Sequence, residues 1–225
     1  MANRPDYTGD VSPGGATDVR ELEHLVIRKI AVSEMSNNTY LLTCRATGEQ
    51  LLIDAADDPA RLGTLIREGT GSLDHLVTTH QHWDHVRALS ELVAAFHPRT
   101  HAGRDDADAL PVRPDVRLVQ GDRVTVGQCD LHVIHLRGHT PGSVALAYAD
   151  PAGHTHLFTG DTLFPGGVGA TTSYEYQSFD SLIEDVTTRL FGVYDDNTWV
   201  YPGHGGDTTL GVERPHLNEW RERGW

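Results

Sequence analysis

The sequence predicts an α/β protein with an αββα architecture, in which two mixed sheets pack face to face and helices cover the outer surfaces. Two blocks of short apolar segments with strand character each lead into segments with helical periodicity, which is the pattern expected of such a sandwich. The length of 225 residues is within the range of a single compact domain. We predict one domain over residues 23–225, preceded by a flexible segment over residues 1–22 that is rich in turn-forming residues.

The first block begins with an antiparallel meander of three short strands, because turn-type stretches at 36–38 and 46–49 interrupt an apolar pattern. Asp57, Asp58 and Pro59 then indicate the start of a helix, since acidic residues and proline are favoured in a first helical turn. A further strand and a second helix follow. The predicted strands cover residues 25–32, 39–44, 50–54 and 73–79, and the predicted helices cover residues 57–69 and 86–96.

The second block contains a strand in which Cys129, Leu131 and Val133 mark one face at every second position. It also contains a glycine-rich loop over residues 161–172, which leads into apolar residues at helical spacing. The predicted strands cover residues 116–119, 123–126, 129–136, 143–148, 154–159 and 198–201, and the predicted helices cover residues 105–110, 182–191 and 213–223. Together with the first block, these elements account for both sheets and the outer helices.

The composition disfavours several classes of function. A formal charge of −14 argues against a nucleic-acid partner, and no apolar run approaches the ~20 residues that span a bilayer. The polar start lacks the basic and apolar regions of a secretory signal, so we expect a cytoplasmic protein. Cys44 and Cys129 lie in apolar segments and are expected to be buried free thiols. We therefore expect a small-molecule substrate, and a monomer or a small homo-oligomer.

A cluster of metal-type side chains follows the strand predicted at residues 73–79. The stretch reads Thr79-His80-Gln81-His82-Trp83-Asp84-His85 and lies in the loop before the next helix. Imidazole and carboxylate groups together suit divalent transition metals. The alternative is that these are ordinary loop residues, with Asp84 capping the helix that follows. The density of histidine favours the interpretation as metal ligands.

Three further metal-type residues, His139, Asp161 and His204, each stand next to a glycine in a short turn beside a predicted strand. Glycine allows the backbone to turn sharply and to approach a ligand closely. With His80, His82, Asp84 and His85 these residues make seven candidate ligands. That number suffices for two cations with four to five ligands each if one carboxylate bridges them.

The order of these motifs identifies a family resemblance. The chain resembles the metallo-β-lactamase superfamily hydrolases, in particular the glyoxalase-II-like branch, over about residues 25–215. The motifs that carry the resemblance are Thr79-His80-x-His82-x-Asp84-His85, Gly138-His139-Thr140-Pro141-Gly142-Ser143, Gly160-Asp161-Thr162-Leu163-Phe164 and Pro202-Gly203-His204-Gly205. The resemblance implies the metallo-β-lactamase fold, which is an αββα sandwich.

The resemblance also implies a role for each candidate ligand. His80, His82 and His139 would bind a first divalent metal ion, Asp84, His85 and His204 a second, and Asp161 would bridge the two. Zn²⁺ is the expected metal, with Fe or Mn as alternatives. By the same resemblance Asp84 is the catalytic residue, which orients the attacking water.

The implied function is the hydrolysis of a small acyl substrate by metal-bound hydroxide. A hydroxyacyl or acyl thioester of a low-molecular-weight thiol is the expected substrate class. One alternative is a mononuclear iron persulfide dioxygenase of the same fold, with one iron held by the residues matching His80, His139 and Asp161. Others are a lactonase or another ester hydrolase, and a binding module whose metals are structural. Asp84 argues against the last, because a structural site needs no water-orienting carboxylate.

Two departures from the family pattern concern the substrate. Gly169-Ala170-Thr171 stands where many relatives have Gly-Arg-Thr, so a basic side chain near the pocket is missing. Only 21 residues follow His204, too few for the helical domain that binds glutathione in larger relatives. We therefore expect a thioester of another thiol. Asp161, where β-lactam-cleaving zinc enzymes most often have Cys, argues against antibiotic hydrolysis.

Aromatic residues near the ligand motifs are candidate substrate contacts. We predict that Trp83, Phe164, Tyr174 and Tyr176 face the substrate. Phe179 follows the same glycine-rich loop and could join them. The alternative is that Tyr174, Tyr176 and Phe179 pack this loop onto the helix that follows. His135 stands four residues before His139 and is a candidate outer hydrogen-bond partner for a metal ligand.

Overall fold

The computed structural model describes residues 7–224 and contains two large mixed sheets and a small two-stranded ribbon. The strands of the seven-stranded first sheet are β1 (Asp18–Glu21), β2 (Leu25–Val32), β3 (Asn37–Cys44), β4 (Gln50–Ile53), β5 (His75–Thr78), β6 (Arg99–Gly103) and β7 (Val116–Leu118). The remaining strands are β8 (Arg123–Val126), β9 (Cys129–His135), β10 (Val144–Ala149), β11 (Thr155–Gly160), β12 (Leu163–Phe164), β13 (Gly167–Val168), β14 (Trp199–Pro202) and β15 (Thr208–Thr209).

Each large sheet combines antiparallel and parallel pairs. In the first sheet the strands lie in chain order, with β1 to β4 antiparallel and β4 to β7 parallel. The six-stranded second sheet has the order β15-β14-β11-β10-β9-β8, and its one parallel pair is β11 with β14. Strands β12 and β13 form the ribbon.

The helices are short and most are amphipathic. They are α1 (Pro59–Glu68), α2 (Leu89–Phe96), α3 (Phe179–Asp185), α4 (Leu210–Glu213) and α5 (Leu217–Arg223). A π-helical turn at Val186–Phe191 extends α3, and a 3-10 turn at Arg214–His216 joins α4 to α5. Helix α1 begins at Pro59, two residues after the predicted start at Asp57, and the Asp58 side chain caps it by accepting a hydrogen bond from the Arg61 backbone N–H.

Three apolar clusters hold the layers together. The first lies between the sheets and joins residues such as Tyr40 of β3 to Phe158 of β11 and Tyr201 of β14. The second packs α1 and α2 on the outer face of the first sheet, and the third packs α3 and α5, with Trp220, on the outer face of the second. This layering confirms the predicted αββα sandwich.

The structure differs from the sequence prediction in the segment assigned to residues 1–22. Residues 1–6 lie outside the described residues, but Asp18–Glu21 forms strand β1 and pairs with β2. Tyr7 donates its hydroxyl to Asp207 at 2.6 Å, and the Gly9 carbonyl accepts a hydrogen bond from Lys29 Nζ at 2.6 Å. The predicted boundary at residue 23 therefore cuts through the first sheet. Pairing through backbone groups holds this polar edge strand, and composition does not reveal such pairing.

Two loops also differ from their predicted structure. Residues 105–110 form turns and not the predicted short helix, because the Asp106 carboxylate accepts hydrogen bonds from other loops. The glycine-rich loop at residues 161–172 contains the ribbon β12–β13. Within residues 7–224, no helix has the length and apolar character needed to cross a bilayer.

Candidate metal centre

The structure brings the seven candidate ligands together at one end of the sandwich. Each ligand loop follows the carboxyl end of a strand: residues 79–85 follow β5, His139 follows β9, Asp161 follows β11 and His204 follows β14. Three overlapping groups have ligand atoms within 4.8 Å of one another. These groups are His80, His82 and His139; His80, His85 and Asp161; and Asp84, His85 and His204.

The Asp161 carboxylate lies between the two histidine sets. Its Oδ2 is 3.7 Å from His139 Nε2 and 4.0 Å from His80 Nε2 on one side. On the other side, Oδ2 is 3.3 Å from His204 Nε2, and Oδ1 is 3.3 Å from His85 Nε2. This position allows one carboxylate to contact two cations.

The donor atoms fit a divalent metal. His80 Nε2, His139 Nε2 and Asp161 Oδ1 are buried and have no hydrogen-bond partner. Leaving a polar atom buried and unpaired costs about 1–3 kcal/mol, so a cluster of such atoms directed at one space calls for a ligand. Imidazole nitrogen and carboxylate oxygen are the donors that Zn²⁺ and related transition metals take.

Asp54 and Thr79 orient His80 and His85 from outside the centre. His85 Nδ1–H donates to Asp54 Oδ2 at 2.9 Å, which directs Nε2 towards Asp161. Thr79 donates its backbone N–H and its hydroxyl to the same carboxylate, at 2.7 and 2.8 Å. The Thr79 oxygen in turn accepts from His80 Nδ1 at 3.0 Å. Such outer contacts fix the tautomer and the ring orientation of a metal ligand.

Carbonyl groups orient two further histidines. His139 Nδ1–H donates to the Ala170 carbonyl at 2.8 Å, and His204 Nδ1–H donates to the Met35 carbonyl at 3.0 Å. In the neutral form of each ring, both contacts leave Nε2 as the nitrogen whose lone pair is available to a cation. The outer partner of His139 is thus a backbone carbonyl, whereas His135, the candidate for that role, has its Nε2 2.8 Å from the Pro141 carbonyl.

Asp84 lies in a 3-10 turn at Trp83–His85 and does not cap the following helix, which begins at Leu89. Its Oδ2 accepts a hydrogen bond from Asn37 Nδ2 at 2.9 Å and is 3.3 Å from His204 Nε2. Asn37 is fully buried in β3. The sequence places Asn37 in a turn-type stretch, and no motif marks it as a partner of Asp84.

Asp106 joins two of the ligand loops. Its carboxylate accepts a hydrogen bond from the Gln81 backbone N–H at 3.0 Å in the first loop. It also accepts from the Thr140 hydroxyl and the Gly142 backbone N–H, both at 2.6 Å, in the loop that carries His139. Sequence reasoning missed Asp106 and Asp54, because each is an isolated aspartate that follows a strand without a motif.

The electrostatics of the centre favour cations. Burial lowers the pKa of His80, His139 and His82, the last to about 4. Burial also acts to lower the pKa of His204, but hydrogen bonds to Asp161 and Asp84 outweigh it and raise this pKa to about 10. In the metal-free centre, a protonated His204 therefore balances part of the negative charge of Asp84 and Asp161. Metal binding is expected to displace that proton.

The four predicted substrate contacts all lie near candidate ligands. Tyr174 stacks on the His82 ring with a centroid distance of 5.0 Å, and Tyr176 Oη lies 3.0 Å from His82 Nε2. Phe164 is 6.3 Å from the His204 ring, and Trp83 is exposed beside the ligands. In contrast, Phe179 packs onto the apolar cluster beneath α3, as the alternative predicted.

Comparison with known sequences is consistent with this geometry. The sequence profile of the metallo-beta-lactamase superfamily matches residues 32–204. The chain is 38% identical over 181 residues to a hydroxyacylglutathione hydrolase of Rhodospirillum rubrum, and the match covers 80% of this chain and 66% of the relative. It is 28% identical over 173 residues to a probable hydroxyacylglutathione hydrolase of Schizosaccharomyces pombe, covering 75% and 64% of the two chains. The chain thus spans less than two thirds of the length of these relatives.

Solved structures are similar over most of the chain. ETHE1 from Myxococcus xanthus matches with a TM-score of 0.77 and 29% identity, covering 87% of this chain and 84% of that protein. TTHA1623, whose crystal structure is in a di-iron-bound form, matches with a TM-score of 0.68 and 32% identity, covering 83% and 96%.

Proposed function

The chain belongs to the metallo-β-lactamase superfamily, and from that premise we propose that it is a dinuclear metal-dependent hydrolase of small thioesters. One observation carries the proposal. Asp84, His85 and His204 form a second group of donors beside His80, His82 and His139, with Asp161 between the groups. A site for a single cation would not need both groups.

When bound, two divalent cations in this centre would supply an activated water and a polarised carbonyl at neutral pH. The chain holds the donors in place before the cations arrive, through Asp54, Thr79 and the carbonyls of Ala170 and Met35. A preorganised centre of this kind minimises rearrangement during the reaction.

Asp84 is the residue to which we assign the orientation of the attacking water. Its Oδ2 faces His204 and accepts the amide hydrogen bond of Asn37. Oδ1 is then the oxygen that holds the water and accepts its proton. Hydrogen-bonded positioning of this type gives a general base its advantage.

A thioester is proposed as the substrate because the curated relatives named above are hydroxyacylglutathione hydrolases. Zn²⁺ is the proposed metal, and Fe and Mn suit the same donors. The iron dioxygenase alternative needs one metal held by His80, His139 and Asp161. Because that branch resembles this chain in the same motifs, metal stoichiometry and oxygen uptake are the measurements that separate the two functions.

Metal content measured in parallel with activity tests this proposal. We expect two equivalents of metal, thioester turnover, and no oxygen consumption. Asp84→Ala should lower kcat by about 100-fold or more, which is the contribution of a positioned base. Asp130→Ala, a change at an exposed aspartate of β9, is the matched control and should keep wild-type activity.

Three outcomes contradict the proposal. One equivalent of iron with oxygen uptake supports the dioxygenase. Two equivalents of metal without turnover of any thioester or ester support a structural role. Near-normal turnover in Asp84→Ala would remove Asp84 from the mechanism.

A further inference from the structure

Exposed apolar side chains concentrate around the metal centre. In the part of the chain that the structure describes, six large apolar side chains are strongly exposed, and four of them lie beside the candidate ligands. These four are Trp83 at 51%, Met35 at 45%, Tyr174 at 43% and Tyr176 at 39% exposure. Scattered apolar residues on a surface need no explanation, but a group around a catalytic centre indicates a binding surface.

We call the exposed surface formed by Met35, Trp83, Tyr174 and Tyr176 the opening of the centre. Trp83 stands between the ligands His82 and Asp84 in the chain. Tyr174 and Tyr176 stack on each other with a centroid distance of 5.1 Å and an interplanar angle of 6°, and both contact His82.

The fourth residue, Met35, is next to the second group of candidate ligands, because its backbone carbonyl accepts the hydrogen bond of His204. Exposed apolar residues therefore neighbour both groups of candidate ligands.

The arginines nearest to the ligands in sequence are already paired with carboxylates. Arg87 donates to Asp57 at 2.8 Å, and its guanidinium lies 4.0 Å from the centre of the Trp83 ring. Arg137 donates to both oxygens of Asp185, at 2.9 and 2.8 Å. Using either arginine to bind a substrate carboxylate would require breaking an existing ion pair.

Two exposed carboxylates stand next to these apolar residues in the chain. Glu34 is exposed and adjacent to Met35, and Glu175 is exposed between the two stacked tyrosines. Ala170, whose carbonyl holds His139, carries no charge of its own. Among the described residues, the two arginines nearest to the ligands in sequence are held in ion pairs, so an anionic acyl group next to these carboxylates would bind less favourably than a neutral one.

We propose that the substrate is a thioester with an uncharged, apolar acyl group, which packs against Trp83, Tyr174 and Tyr176. The inference rests on the proposed thioester hydrolysis. Water adds its oxygen to the carbonyl carbon, the carbon–sulfur bond breaks, and the sulfur leaves as a thiol after taking up a proton. Thioesters with an anionic acyl group are poor substrates because the opening offers them apolar and acidic side chains.

Matched thioesters of N-acetylcysteamine, a neutral thiol, test the inference. Hexanoyl and adipoyl thioesters have the same number of carbon atoms, and differ in a terminal methyl or carboxylate group. We expect kcat/KM for the hexanoyl thioester to exceed that for the adipoyl thioester by about tenfold or more, as for other apolar pockets. Equal values, or a preference for the adipoyl thioester, would overturn the inference.

Variants at the opening link the preference to these residues. Trp83→Ala and Tyr174→Ala should each reduce the ratio of kcat/KM for the hexanoyl thioester to that for the adipoyl thioester to about twofold or less, mainly through KM of the hexanoyl thioester. Val212→Ala alters an exposed apolar residue of α4 and is the control, which should keep the full preference. Metal content is measured in every variant. A full preference in both opening variants would contradict the assigned surface.

Binding of unreactive analogues separates this inference from the proposed function. S-Hexyl-N-acetylcysteamine and its analogue with a terminal carboxylate are thioethers, and calorimetry reports their affinity for the metal-loaded protein. We expect the neutral thioether to bind about tenfold more tightly. If no thioester is hydrolysed, the proposed function fails, but the thioether affinities still decide the inference. Tighter or equal binding of the carboxylate analogue would refute it.

Discussion

Replacing Asp54 by asparagine is expected to weaken binding of the second cation by about 10- to 100-fold, or about 1.4–2.8 kcal/mol. The buried Asp54 carboxylate accepts hydrogen bonds from the Thr79 N–H and hydroxyl and from His85 Nδ1–H. An amide has one oxygen, so one side of residue 54 would present N–H groups to donors. If that side faces His85, Nδ1 becomes the acceptor and the ring proton moves to Nε2. His85 Nε2 then has no lone pair for a cation.

Asparagine is the appropriate substitution at this position because of the backbone. Asp54 has a φ of 61°, in the left-handed region that asparagine and aspartate tolerate best. Alanine would add backbone strain to the loss of hydrogen bonds. Asp58→Asn is the matched control, since Asp58 has a φ of 47° and caps α1 away from the centre, a task that asparagine performs equally well.

Competition with a chromophoric chelator, together with elemental analysis after dialysis, measures both metal affinities. We expect Asp54→Asn to lose metal from the group formed by Asp84, His85 and His204 before the other group, and Asp58→Asn to match the wild type. An Asp54→Asn protein that retains two equivalents with wild-type affinities would refute the tautomer argument.

Three further predictions concern stability. Lys29→Met should lower the free energy of unfolding by about 3–5 kcal/mol in urea titrations, because Lys29 is fully buried and its removal leaves the buried Asp207 carboxylate without a counter-ion, held only by hydrogen bonds from Tyr7 and Trp199. Asp106→Ala should cost about 2–4 kcal/mol in the same measurement, since buried donors in two ligand loops lose their acceptor. At Asp185, burial raises the pKa, but hydrogen bonds from Arg137 outweigh burial and lower it. Its stabilising contribution is complete above the usual pKa of about 3.9 and is lost as pH falls below that value. The urea midpoint should therefore fall more between pH 6 and pH 3 for the wild type than for Asp185→Asn.

Each of these predictions has an outcome that contradicts it. The control for Lys29→Met is Arg45→Met, which removes an exposed ion pair with Glu21 worth about 0–1 kcal/mol. Equal losses of stability in the two variants would show that burial of the Lys29 ion pair adds nothing to its contribution. An unchanged midpoint in Asp106→Ala would mean that water replaces the carboxylate. Parallel acid dependence in wild type and Asp185→Asn would exclude this carboxylate as a source of acid sensitivity.

The local sequence determined the fold class and the candidate ligands. Apolar alternation and helical spacing are properties of neighbouring residues, so β2 was predicted at Leu25–Val32, as observed, and most other elements within a few residues. The motif of residues 79–85 needs only the order of residue types to be read. Strand β1 was missed because its stability comes from pairing with β2, and not from its own composition.

The tertiary structure alone decided which groups hold the ligands. Asp54 contacts His85 across 31 positions of the chain, and Asn37 contacts Asp84 across 47. These contacts form because several strands end at the same edge of the sandwich, where their loops converge. A sequence lists the donors and acceptors of a chain, but their pairing depends on distances that exist only after the sheets have packed.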